Sequence, residues 1–119
     1  MRWLVVGAVP EEYAAWVQPL PPGAAIVGRA RGPHPAVHLF VDRKGELRRR
    51  LVALRESIEQ DGFVWVSWPK RASGVPTDIT EDVVREVALP LGFVDTKVCA
   101  VTEVWSGLKL VIRRKARTV

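Results

Sequence analysis

Six consecutive residues in the middle of the chain, Phe63-Val-Trp-Val-Ser-Trp68, are apolar at every position but Ser67. A strand sends alternate side chains to opposite faces, so a run without a polar phase must be covered on both. Such a strand belongs at the centre of a sheet, with neighbours on either side and further layers above and below. The flanking sequence agrees. Upstream, Leu47, Leu51, Leu54 and Ile58 recur at helical spacing, while Arg48, Arg49, Arg55, Glu56 and Glu59 fall mostly on the other faces. This predicts a helix capped by Asp42 and running to about Gln60, broken by Asp61-Gly62. Downstream, Pro69 to Thr77 reads as a loop. Asp78-Ile-Thr-Glu81 then has the spacing of a capping box, opening a helix through Val83, Val84, Val87 and Ala88 that Pro90 ends.

The remaining segments extend the alternation. Trp3 to Ala8 is a short apolar strand, and Pro10 opens a helix with Glu11 and Glu12 in its first turn and Pro19 at its end. A second strand lies around Ala25 to Gly28, a loop from Arg29 to Pro35, and a third strand from Val37 to Val41. After Gly92 a strand runs from Val94 to Val101. Thr102 to Gly107 turns the chain, and Leu108 to Arg114 returns antiparallel with Leu108, Leu110 and Ile112 alternating. The order predicts a single α/β domain over residues 1–119, with a mostly parallel sheet, right-handed crossovers and a closing antiparallel hairpin.

Composition narrows the function classes. At 119 residues there is room for one core. Cys99 has no second thiol to pair with, no run approaches a membrane span, and the N-terminus lacks a signal-peptide core; the expectation is a cytoplasmic protein with no membrane contact. The net charge of +5, from 13 Arg and 5 Lys against 13 acidic residues, admits nucleic acid, phosphorylated ligands or an acidic protein. The absence of Asn resembles the composition of proteins from hot environments. His34 and His38 lack further ligands nearby, so no metal site is expected. Ser67, Ser73 and Ser106 have no base partnered in sequence and no nucleophile elbow around them.

Two resemblances follow from these segments. The long helix, DGFVWVSWPK, the next helix, GFVDTKVCAV and SGLKLVIRR, in that order, resemble the second half of a class I S-adenosylmethionine-dependent methyltransferase, over roughly Val37 to Arg114. The resemblance implies a Rossmann-like three-layer sandwich whose six strands run 2-1-3-4-6-5, the C-terminal strand inserted antiparallel. The first turn, Val6-Gly7-Ala8-Val9-Pro10, has one glycine instead of a glycine-rich fingerprint, and the second strand ends in Gly28-Arg29-Ala30-Arg31 without the acidic ribose ligand. A shrunken relative that has lost its cofactor site is therefore expected, with no cofactor. The second resemblance is to a small bacterial family of uncharacterised function. It is carried by Trp68-Pro-Lys70, by Asp78-Ile-Thr-Glu81 and by Trp105-Ser-Gly-Leu-Lys109.

Ligands of open parallel sheets bind beyond the carboxyl ends of the strands. Ala8 to Glu12, Pro69 to Asp78 and Glu103 to Gly107 should converge there, lining one crevice with Lys70, Arg71, Ser73, Thr77, Ser106 and Lys109, and with Trp68 and Trp105 as a stacking wall. The expected role is a non-enzymatic regulatory domain holding a small anionic ligand or a protein partner at this edge. Two alternatives stand beside it: a minimal methyltransferase that keeps its cofactor by other means, and nucleic-acid binding through an arginine face of Arg48, Arg49, Arg50 and Arg55 with the basic tail Arg114-Lys115-Ala116-Arg117.

Overall fold

FVWVSW forms the carboxyl half of strand β4 (Ile58–Pro69), which is flanked by β3 (His34–Phe40) in parallel and by β6 (Trp105–Ile112) in antiparallel pairing. The computed structural model describes residues 2–7, 25–27, 34–70, 73–101 and 104–113. Beyond β3 lie β1 (Arg2–Gly7) and β2 (Ala25–Val27), and beyond β6 lies β5 (Phe93–Ala100), so that the sheet runs β2-β1-β3-β4-β6-β5. Helix α1 (Lys44–Ser57) connects β3 to β4, and α2 (Glu81–Ala88) follows β4 before a short 3-10 turn at Leu89–Leu91. The α/β architecture with its closing antiparallel hairpin is as the alternation predicts, and its Rossmann-like form is what the methyltransferase resemblance implies. The helix opening at Pro10 and the tail after Arg113 lie outside the described residues.

Both described helices pack on one sheet face. Leu47, Leu51 and Leu54 of α1, with Val84, Val87 and Ala88 of α2, meet Val37, Leu39, Val64, Val66, Leu108 and Leu110 in one buried cluster. Each of these leucines and valines contributes roughly 1.5–3 kcal/mol when fully buried. The other face is set by register. Across β3, β4, β6 and β5 it carries the rows Ala36-Phe63-Val111-Val94, His38-Trp65-Lys109-Lys97 and Phe40-Ser67-Gly107-Cys99.

Four boundaries differ from the sequence reading, each for a local reason. Helix α1 ends at Ser57 rather than near Gln60, because Ile58 turns extended (φ −86°, ψ 147°) while keeping its side chain buried. Helical periodicity cannot tell those two outcomes apart. Asp61-Gly62 accordingly lies inside β4, where pairing steps two residues along β3 and five along β4 between His34↔Ile58 and Ala36↔Phe63. There the Gly62 backbone presses against Pro35; a Cβ would come within 2.8 Å of its carbonyl oxygen. Strand β3 begins at His34, within the expected loop, and Trp105-Ser-Gly belongs to β6 rather than to a turn.

The caps are exchanged as well. Asp42 does not cap α1: Arg43 holds that position without a side-chain bond, and the Lys44 N–H donates instead to Asp78 Oδ1 at 2.7 Å. Asp78, expected to cap the following helix, is thus spent on α1. Thr80 caps α2, its hydroxyl accepting from the Val83 N–H at 3.2 Å. The carboxylate suits the positive end of α1. Asp78→Ala is expected to cost about 1 kcal/mol, measured by urea unfolding.

Candidate functional site

The carboxyl end of β4, the amino end of the antiparallel β6 and the loop leaving β4 enclose a groove of about 590 Å³. Its lining includes Trp68 and Ser106, which face each other across the β4–β6 register, Lys70 from the loop, and Val98 of β5. Trp68 is only 6% exposed and Ile79 3%, so indole and isoleucine form a packed apolar floor. Val75 and Val98 stand exposed on the lining.

One wall is fixed by hydrogen bonds to another part of the chain. Thr77 Oγ1 donates to the Asp42 carbonyl at 2.7 Å and accepts from the Ile79 N–H at 3.1 Å, while Asp78 holds the start of α1. Ser73 Oγ donates to the Lys70 carbonyl at 2.6 Å and accepts from the Val75 N–H at 3.2 Å. The Lys70 N–H donates to the Val104 carbonyl at 2.6 Å, joining the loop to the start of the hairpin strand. The groove's acidic groups are engaged: Asp78 by the Lys44 amide, and Glu81 by Arg85 at 3.1 Å. Lys70, by contrast, makes no ion pair among the described residues.

Of the residues expected to converge, Trp68, Lys70, Thr77 and Ser106 line the groove together. Ser73 shapes the loop and does not line it. Trp105 and Lys109 are not in the groove. Being in a strand, Trp105 points opposite to Ser106 and meets Phe40 edge-on at 5.0 Å between ring centroids. Lys109 lies on that same far face, its Nζ 4.6 Å above the Phe63 ring. Arg71, Ala8 to Glu12 and Glu103 fall outside the described residues.

A serine with a base beside it was missed. Ser67 Oγ and His38 Nε2 are hydrogen-bonded at 2.7 Å across β3 and β4, and His38 also stacks on Phe40. Burial holds the His38 imidazole down, to a pKa of about 4, so it is neutral at neutral pH. Ser67 is fully buried and out of reach of substrate, which makes the pair a satisfied interior contact. The signal was there in part: each is a lone polar residue in an apolar strand. Only the register places them together.

The arginine run is partly neutralised on its own helix. Glu46 accepts from Arg49 at 2.6 Å and from Arg50 at 2.9 Å, bonds that hold its carboxyl below the usual range. Arg55 Nε donates to the Leu91 carbonyl at 2.9 Å, pinning the turn after α2. Among the described residues no cluster of three or more His, Cys, Asp and Glu is placed to hold a metal ion. No described helix is long and apolar enough to cross a membrane.

Comparison with known proteins supports the same fold. A family model described as protein of unknown function, DUF3052, matches residues 35–114. No curated protein matches the sequence. Among solved structures, a putative type 11 methyltransferase from Sulfolobus solfataricus superposes with a TM-score of 0.58 at 11% identity, covering 98% of this chain and 73% of that one. The magnesium protoporphyrin IX methyltransferase of Synechocystis PCC 6803 gives 0.57 at 12% identity, over 87% of this chain and 53% of its own. A ribosomal protein L11 methylase from Lactobacillus delbrueckii subsp. bulgaricus gives 0.54 at 12% identity, over 76% and 45%. The chain therefore spans about half the length of the latter two. At these identities the likeness is one of fold.

Proposed function

The chain belongs to the DUF3052 family of proteins of unknown function, and from its sheet edge we propose that it is a non-catalytic binding module holding a small anionic ligand in the groove beside Trp68 and Lys70. The observation that carries this reading is an ammonium without an ion-pair partner among the described residues, set in the lining of a cavity floored by a tryptophan. Ligand sites combine an apolar body with a few polar groups in this way. Catalysis has less to work with. The Thr77 and Thr80 hydroxyls are spent on the Ile79 and Val83 amides, and both carboxylates are engaged.

A thermal-shift panel of nucleoside monophosphates and phosphosugars tests the proposal. A ligand at a hundred times its Kd stabilises by about 2.7 kcal/mol, several degrees for a domain of this size. The shift should vanish in Lys70→Glu and survive in Lys109→Glu, whose side chain lies on the other sheet face. Equal shifts in both variants, or none in the wild type, defeat it. The fold also supports a methyltransferase reading, which equilibrium dialysis with S-adenosylmethionine addresses directly: the binding-module reading expects no retention.

A further inference from the structure

The sheet face opposite α1 and α2 has a composition that packing does not account for. In the row His38-Trp65-Lys109-Lys97, two lysines stand directly opposite each other on β6 and β5. Like charges at such positions repel. Among the described residues, neither β4 from Phe63 to Pro69 nor β6 carries a carboxylate that would relieve them; the acidic residues of β4, Glu59 and Asp61, lie within the register step. Asp95, the acidic residue of β5, pairs with Arg85 of α2 at 3.1 Å, on the helix side. Beside the lysines lie Trp65 and Phe63, both only half-buried although they sit on a central strand. The Trp65 indole N–H donates to no acceptor among the described residues, and Lys109 Nζ is held 4.6 Å above the Phe63 ring.

We propose that this face, built on Phe63, Trp65, Lys109 and Lys97, binds single-stranded nucleic acid. Partly exposed rings offer edges and faces on which bases stack, and the paired lysines neutralise phosphates; together these are the two parts of a sequence-tolerant single-strand site. A duplex keeps its bases stacked inside and would leave the rings uncovered. A second copy of the chain fits less well, since a symmetric face-to-face contact brings lysines against lysines. The surface is separate from the groove, whose lining comes from the opposite side of the same strands.

The test is fluorescence anisotropy of a labelled oligothymidylate of about 15 nucleotides, titrated with full-length protein over a range of salt. The wild type should bind with an affinity that falls steeply with salt. The double variant Lys97→Glu, Lys109→Glu should bind more weakly, with a log–log salt slope shallower by about 1.4, the loss of two phosphate contacts on a single strand. Trp65→Ala should weaken binding by about fivefold to 150-fold, from the loss of one stacking contact, and Trp65→Phe should restore most of it. Thermal melts of each variant separate weak binding from unfolding. A flat salt response, duplex bound as tightly as the single strand, or unchanged affinity in a folded lysine variant overturns the proposal. So does failure to bind any oligonucleotide by a protein that sediments as a dimer through this face.

Discussion

Alanine at Gly7 is expected to lower stability by about 3 kcal/mol or more, read from the urea midpoint. Gly7 ends β1 with φ at +93°, in the left-handed region that costs a residue with a Cβ. The larger penalty is steric. Gly7 pairs with Phe40 of β3, and a Cβ built on it would be driven into the Phe40 carbonyl oxygen. Neither partner can yield cheaply, because that carbonyl is backbone and Phe40 is fully buried. Gly74 is the internal control. Its φ is +78°, but a Cβ there meets nothing within 4 Å. Gly74→Ala should therefore show only the conformational cost, about 1–2 kcal/mol. Equal losses at the two sites would mean that β1 and β3 move apart to admit the methyl group, and the steric argument would fail.

That contrast marks where the sequence stops being legible. FVWVSW declared its central place in the sheet through the missing period-two alternation, although only Val64, Val66, Ser67 and Trp68 are buried and Phe63 and Trp65 stay partly exposed; the helices declared their inner faces through Leu47, Leu51, Leu54, Val84 and Val87. These are local patterns, and local patterns survive translation into structure. The caps did not. Asp78 stands at capping-box spacing from Glu81, yet its carboxylate finds a stronger claim 34 residues away at the Lys44 amide. No spacing rule contains that partner.

The site divides along the same line. Trp68, Lys70, Thr77 and Ser106 were brought together because they belong to strand ends and a loop that must meet at one edge. Trp105 was misplaced through a strand boundary, since a turn can aim neighbouring residues at one crevice whereas a strand must separate them; Lys109 alternates with Leu108 and Leu110 and so leaves the groove's face by strand parity alone. Starting β6 three residues earlier puts Trp105 on the far face with Lys109. There Lys109 meets Lys97 and Trp65, a grouping that depends on the order and register of three strands.

Acid should destabilise the protein through His38 in a window set by its own titration. The imidazole titrates near 4 in the folded protein because burial disfavours its charged form, against about 6.5 when exposed. As pH falls below 6.5, the unfolded chain takes up the proton first. The stabilising difference is complete above that pH and is lost progressively down to about 4, on the order of 3 kcal/mol in all. Carboxylates also titrate toward the lower end, so the informative quantity is a difference between proteins. His38→Gln keeps a hydrogen-bonding group opposite Ser67 and removes the titration. Relative to wild type it should be less stable at pH 7.5, and the gap should close or reverse by pH 4.5. The described groups against the ring support this direction. Phe40 stacks on it without offering a hydrogen bond, Ser67 bonds it as well when neutral, and Trp65 is its pairing partner on β4. The nearest described charge in that row is Lys109, whose sign opposes protonation further. Urea midpoints for the two proteins at five pH values decide the matter, and parallel curves across the window would show that His38 does not titrate there.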